Sequence, residues 1–165
     1  MDIAVTGSNG LIGKRLIGDL EASGHRVLRV VRSAGGSGDS MQWDPAKGTI
    51  DAASLEGIDA VIHLAGEGIA DKRWTDEQKA TIMSSRKLGT ALLTSTLAGL
   101  DRPPSVLLSG SAIGYYGDTA DRTTAENGPA GTGFLPDICL AWEAAAAPAI
   151  EAGIRTTFLR TGVVL

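Results

Sequence analysis

The chain has 165 residues, enough for one domain with a sizeable core. Hydrophobic residues make up 43% and charged residues 21%, which excludes disordered, collagen-like and coiled-coil chains. The net charge is −4 with the basic residues scattered, so no electrostatic platform for nucleic acid is expected. Glycine is abundant at 22 residues and aromatics are sparse at 4%, a mix that favours tight backbone turns over a surface for stacking bases. One cysteine, Cys139, excludes an intramolecular disulfide and a zinc cluster. No segment offers a long uninterrupted apolar run or a signal peptide. The expectation is a cytoplasmic protein without a metal, a targeting segment or a membrane contact.

Short β-branched runs alternate with longer amphipathic ones, the pattern of βαβ units around a parallel sheet. A first strand is predicted at Asp2–Thr6 and a helix at Leu11–Ala22. The turn between them reads Thr6-Gly7-Ser8-Asn9-Gly10-Leu11-Ile12-Gly13. Strand, glycine-rich turn and helix in that order are the context of a dinucleotide-binding fingerprint. Gly7 permits the tight turn, Gly10 removes a side chain where a pyrophosphate approaches, and Gly13 lets the helix pack closely. The first helical residues, Leu11 and Ile12, then offer free N–H groups at the positive end of the helix.

A second strand is predicted at Arg26–Val31, and its end selects the dinucleotide. An acidic residue there would hold a ribose 2′-hydroxyl, but Arg32 follows instead. A guanidinium offers planar, charge-assisted donors to a 2′-phosphate, so NADP is expected over NAD. The alternative for Arg32 is a solvated charge at a strand end.

Residues 33–40 read as a flexible surface loop. Further strands are predicted near 41–43, at 59–64, at 105–110 and at Arg155–Thr161. Helices are predicted at 75–98 and about 135–151, the latter kinked or ended by Pro148. The fold class is therefore a three-layer, doubly wound α/β sheet of the Rossmann type over residues 1–165. No capping helix follows the last strand, and a domain that also bound substrate would need more chain. The expectation is the N-terminal part of a longer protein, cut before a C-terminal substrate region.

These residues, with His63-Leu64-Ala65-Gly66, Ser111-Ala-Ile-Gly-Tyr-Tyr-Gly117 and Leu159-Arg-Thr-Gly-Val163, resemble the extended short-chain dehydrogenase/reductases. More closely, Trp43-Asp44-Pro45, Ala65-Gly66-Glu67, Arg73-Trp74-Thr75, Ser85-Arg86, Trp142-Glu-Ala-Ala145 and Arg160-Thr-Gly-Val-Val164 are similar to one atypical subgroup. That subgroup, in the NAD-dependent epimerase/dehydratase family, carries the name nucleoside-diphosphate-sugar epimerase and sometimes a SulA-type cell-division label. The resemblance implies that Leu64, Ala65 and Gly66 present backbone to the adenosine ribose and pyrophosphate, and that Val163 lies by the nicotinamide. Plain core packing is the other reading of Leu64 and Val163.

In active members of the superfamily, a Tyr-x-x-x-Lys pair transfers the proton while a serine polarises the substrate carbonyl. That spacing puts both side chains on one helical face, where the cation lowers the phenol pKa. Anchored on Trp142-Glu143, the resemblance puts Leu135 in the place of the tyrosine and Cys139 in that of the lysine. Cys139 reads as a small buried apolar residue. The serine remains as Ser111, with Ser109 nearby, and the phenols of Tyr115 and Tyr116 follow it. These three are the catalytic candidates, although a phenol without a nearby cation ionises only near about pH 10. Wall-forming or turn packing is the other reading of both tyrosines.

Arg86 stands where the superfamily has a supporting asparagine, and is expected to reach a cofactor phosphate or ribose, or else to be a solvated charge beside Lys87. Glu67 is a further acid or base candidate or a turn residue. His25 reads as a helix C-terminal cation and His63 as a hydrogen-bonded core histidine. Trp43 is a candidate adenine neighbour and Trp74 a candidate for the active-site cleft; core or interface packing is the other reading for both, and for Trp142.

Two functions stand at this point. One is an NADP-binding epimerase or oxidoreductase acting on a sugar nucleotide or another hydroxyl-bearing small molecule. The other is a non-catalytic NADP(H)-binding sensor or regulatory module that lacks the proton-transfer pair.

Overall fold

The computed structural model describes residues 1–33, 38–70 and 72–164. Its elements run β1 (Asp2–Thr6), α1 (Leu11–Ala22), β2 (Arg26–Val31), β3 (Ser40–Asp44), β4 (Thr49–Ile50), β5 (Ala60–His63) and α2 (Asp76–Ala98). They continue with β6 (Val106–Ala112), α3 (Phe134–Ala144), α4 (Ala147–Glu151) and β7 (Arg155–Thr161). Short 3₁₀ turns lie at Ala52–Leu55 and Ile113–Tyr116. The strands form one sheet in the order β4-β3-β2-β1-β5-β6-β7, parallel throughout except for the β3–β4 pair.

Alternation along the strands feeds two cores, because successive side chains point to opposite faces. Ile3, Val5, Val27, Ala60 and Ile62 pack with Ile17 of α1 on one face. Ala4, Leu28, Val30, Val61 and Leu107 pack with Leu93 and Leu97 of α2 on the other. The strand order reverses at β1, whose neighbours are β2 on one side and β5 on the other. A crevice opens at such a reversal, outside the carboxyl ends of the strands.

Three local features differ from the sequence expectation. The strand near 41–43 continues through a turn into β4, held by Asp44 accepting from the N–H groups of Ala46 and Lys47. Two residues are too few to show a period, so this antiparallel strand leaves no pattern in the sequence. The helix expected over 135–151 is two helices, because a proline ring cannot sit four residues beyond a helical carbonyl. α3 ends at Ala144, and Pro148 lies in the first turn of α4, where its missing N–H costs nothing. β6 runs to Ala112, so Ser111 is on the strand and the two tyrosines sit on a 3₁₀ turn. The loop expected at 33–40 lies partly outside the described residues, at 34–37.

Candidate functional site

A cleft of about 480 Å³ opens at the β1/β5 reversal. It gathers the turn Gly7–Gly10, the end of β2 with Arg32, the Pro45 turn, the Leu64–Glu67 segment and Ser84, Ser85 and Leu88 of α2.

The glycines shape its floor. Gly7 has φ +69°, and a Cβ there would lie 2.7 Å from the carbonyl carbon and oxygen of Leu64. The Gly7–Gly10 turn therefore closes directly on the backbone that follows β5. A Cβ on Gly13 would run into the carbonyl oxygen of Gly7, so the helix abuts the turn itself. At Gly10 a Cβ would meet only the Gly7 oxygen, at 3.2 Å, leaving the outward side open. α1 begins at Gly10 without a capping side chain or an acid in its first turn. Its positive end stays available to an external anion.

Behind this floor a buried chain of side chains joins β1, β5 and α2. Thr6 and His63 are cross-strand partners, and both are fully buried. Thr6 Oγ1 accepts from the N–H groups of Leu64 (3.0 Å) and Ala65 (3.1 Å) and lies 2.7 Å from His63 Nδ1. His63 Nε2 lies 3.0 Å from Thr90 Oγ1. Burial holds the His63 imidazole at a pKa of about 4, so it is neutral at pH 7. The amides of Leu64 and Ala65 thus point inward to Thr6, while Leu64, Ala65, Gly66 and Glu67 line the cleft.

Glu67 closes the same segment through three contacts. Its N–H donates to Ser85 Oγ (3.1 Å), its carbonyl accepts from Arg86 Nη1 (2.9 Å), and its carboxylate takes Lys72 Nζ (3.1 Å). The Lys72 ammonium is the largest influence holding that carboxyl below its usual pKa, with a smaller pull from Arg32. Arg86 itself lies behind Gly66, outside the cleft lining, with its guanidinium carbon 4.9 Å from the centre of the Trp142 ring. Burial lowers its pKa. Trp43 belongs to the core and lines the cleft at once, edge-on to His63 at 6.0 Å. Trp74 is exposed, donates to the Ile69 carbonyl and packs edge-on against Phe134.

The second cluster lies at the ends of β6 and β7. Ser111 is 3% exposed, and its hydroxyl donates to Glu143 Oε1 at 2.6 Å. Glu143 takes Arg160 through both oxygens, at 2.8 Å each. The remaining Arg160 nitrogen donates to Tyr116 Oη (2.8 Å) and to the Glu126 carbonyl (2.9 Å). The guanidinium carbon of Arg160 also lies 3.5 Å from the centre of the Tyr115 ring. The expectation of phenols remote from any cation is therefore corrected: Arg160 stacks on one and bonds the other. Partial burial pushes the Glu143 carboxyl up, but the bonds from Arg160 and Ser111 outweigh it, and the carboxyl stays below its usual range.

Leu135 and Cys139 share one face of α3, toward the 3₁₀ turn, at 3.4 and 3.8 Å from where a Cβ on Gly114 would lie. Cys139 is 3% exposed and burial raises its thiol pKa, which excludes a resting thiolate. Val163 lies beyond β7, 87% exposed and away from the cleft lining.

Sequence reasoning missed Thr6 and the Arg160–Glu143 pair. Strand register places Thr6 beside His63 and Arg160 beside Ser111, and the packing of α3 adds Glu143.

The family model described as "NAD dependent epimerase/dehydratase family" matches residues 3–134. An epimerase family protein of Mycobacterium bovis, Mb2239, is 43% identical over 99% of this chain and 54% of its own length. The nucleoside-diphosphate sugar epimerase from Corynebacterium glutamicum superposes with a TM-score of 0.87 at 38% identity, over 100% of this chain and 34% of that one. The human epimerase family protein SDR39U1 (isoform 2), solved with NADPH, gives the same TM-score at 31% identity, over 100% of this chain and 55% of that one. The chain thus spans about half the length of the curated relatives it matches.

Proposed function

The chain belongs to the NAD dependent epimerase/dehydratase family, and we propose that it is the NADP(H)-binding region of an epimerase or oxidoreductase acting on a sugar nucleotide or another hydroxyl-bearing small molecule. The observation that carries this reading is the meeting of Arg32, the Gly7–Gly10 turn and the Leu64–Gly66 backbone in one cleft. Glycines whose Cβ positions are closed by backbone on one side and open on the cleft side fit a pyrophosphate laid across the start of α1. Arg32 then holds the 2′-phosphate, where an acid would favour NAD. The NADPH in the human relative's structure supports the same choice.

When bound, the nicotinamide supplies hydride exchange. The chain's own part is to bind and orient: Gly7, Gly10, Leu11, Ile12 and Gly13 at the phosphates, and Leu64–Gly66 at the ribose. In the same proposal Arg86 braces that segment from behind, and Val163, exposed beyond β7, would lie by the nicotinamide. Ser111, Tyr115 and Tyr116 remain the candidates for touching substrate. The test is to follow nicotinamide fluorescence while titrating the chain with NADPH and with NADH. Tighter binding of NADPH is expected; equal binding, or none, would refute it.

One observation favours the second reading, a non-catalytic NADP(H)-binding module. Ser111 is already bound to Glu143, and Leu135 and Cys139 supply no proton-transfer pair. Tight NADPH binding with no turnover of any sugar nucleotide would support it.

A further inference from the structure

We infer that His63 is a positioning residue for the dinucleotide cleft: its bare Nδ1 accepts a hydrogen bond from the Thr6 hydroxyl, which leaves both lone pairs of Thr6 Oγ1 to hold the Leu64 and Ala65 amides inward. The inference rests on the cofactor reading above and assigns a tautomer and a role that follow from counting hydrogen bonds.

A threonine oxygen has one hydrogen to donate and two lone pairs to accept with. Both lone pairs of Thr6 Oγ1 are engaged by the N–H groups of Leu64 and Ala65. Its hydrogen therefore points to its third neighbour, His63 Nδ1, at 2.7 Å. Nδ1 must then be unprotonated, and a neutral ring carries its proton on Nε2, 3.0 Å from Thr90 Oγ1. The opposite tautomer would bring three donors, the Leu64 and Ala65 amides and Nδ1–H, to one oxygen with two lone pairs, a costly arrangement in a fully buried place.

The consequence reaches the cleft through backbone. The Leu64–Ala65 segment is what Gly7 closes against, within 2.7 to 2.9 Å of a Cβ position, so its orientation sets the floor of the phosphate turn. His63 also stands edge-on to Trp43, which lines the far end of the same cleft. One imidazole thus ties α2, through Thr90, to both walls.

The test uses the 165-residue chain, whose only other histidine is His25. Nitrogen-15 NMR of the imidazoles should show His63 with a bare Nδ1 and a protonated Nε2 at pH 7. In NADPH titrations, Thr6→Ser should bind within a few-fold of wild type. Thr6→Val, which keeps the shape and removes the hydroxyl, should weaken binding on the order of ten- to a hundredfold, the scale of one or two buried donors losing their acceptor. His63→Phe should weaken it on the same scale. An Nδ1-protonated His63 overturns the inference, and so does a folded Thr6→Val chain that binds NADPH as tightly as wild type. A wild-type chain that binds no NADPH overturns the cofactor reading and the positioning role with it, and the tautomer result keeps the two failures apart.

Discussion

The Ser111 hydroxyl donates to Glu143 Oε1 across 2.6 Å, so the serine near the end of β6 already has a partner. A serine polarising a substrate carbonyl would aim its hydrogen at the substrate; this one aims it at a carboxylate already held by Arg160.

The Arg160–Glu143 pair is expected to matter for stability. Both side chains are mostly buried, at 20% and 11% exposed, and removing one partner strands the other. Arg160→Met or Glu143→Leu should cost about 2–4 kcal/mol in urea unfolding. The double variant should recover part of that cost, because it leaves no stranded charge. Independent, additive losses would contradict the pairing.

Acid should destabilise the fold through His63. The unfolded chain protonates this residue near its ordinary 6.5, while the native chain resists until about pH 4. Between those values the unfolded state binds more protons, so stability rises with pH across the window and falls on acidification. Wild type should therefore lose about 3 kcal/mol more than His63→Phe between pH 7 and pH 4. Urea unfolding of both proteins at several pH values measures the difference; parallel losses would show that His63 titrates alike in both states.

Two glycines of one helix should behave oppositely. Gly13→Ala places a methyl against the Gly7 carbonyl and should cost about 1–3 kcal/mol and impair nucleotide binding. A Cβ on Gly18 meets nothing within 4 Å, so Gly18→Ala should add about 0.5–1 kcal/mol of stability. Thermal melts of the two variants check the contrast.

Cys139 should be inert in the native state. Its thiol is buried and its pKa raised. Labelling by a thiol reagent at pH 7 should follow global unfolding, rising with urea in step with the loss of helical signal. Rapid labelling without urea would contradict the packing.

The parts of the molecule legible in the sequence are those set by neighbours along the chain. α1 runs over Leu11–Ala22 as predicted, because the glycine turn starts it and Gly24, at φ +81°, ends it. The doubly wound sheet was legible from the alternating elements; its strand order came from the structure. What sequence reasoning left out depends on register between distant strands. Ser111 faces Arg160 only because β6 pairs with β7, and Thr6 meets His63 only because β1 pairs with β5. Neither pairing has a local signal, so the serine was legible and its partner was not.

If Arg32 selects NADP(H) as proposed, the ratio of NADH to NADPH dissociation constants in wild type and Arg32→Ala shows it most directly. One charge-assisted phosphate contact is worth roughly ten- to a hundredfold, so wild type should prefer NADPH by about that factor and Arg32→Ala should bring the ratio close to one through weaker NADPH binding alone. An unchanged ratio, or equal weakening of both nucleotides, would contradict it.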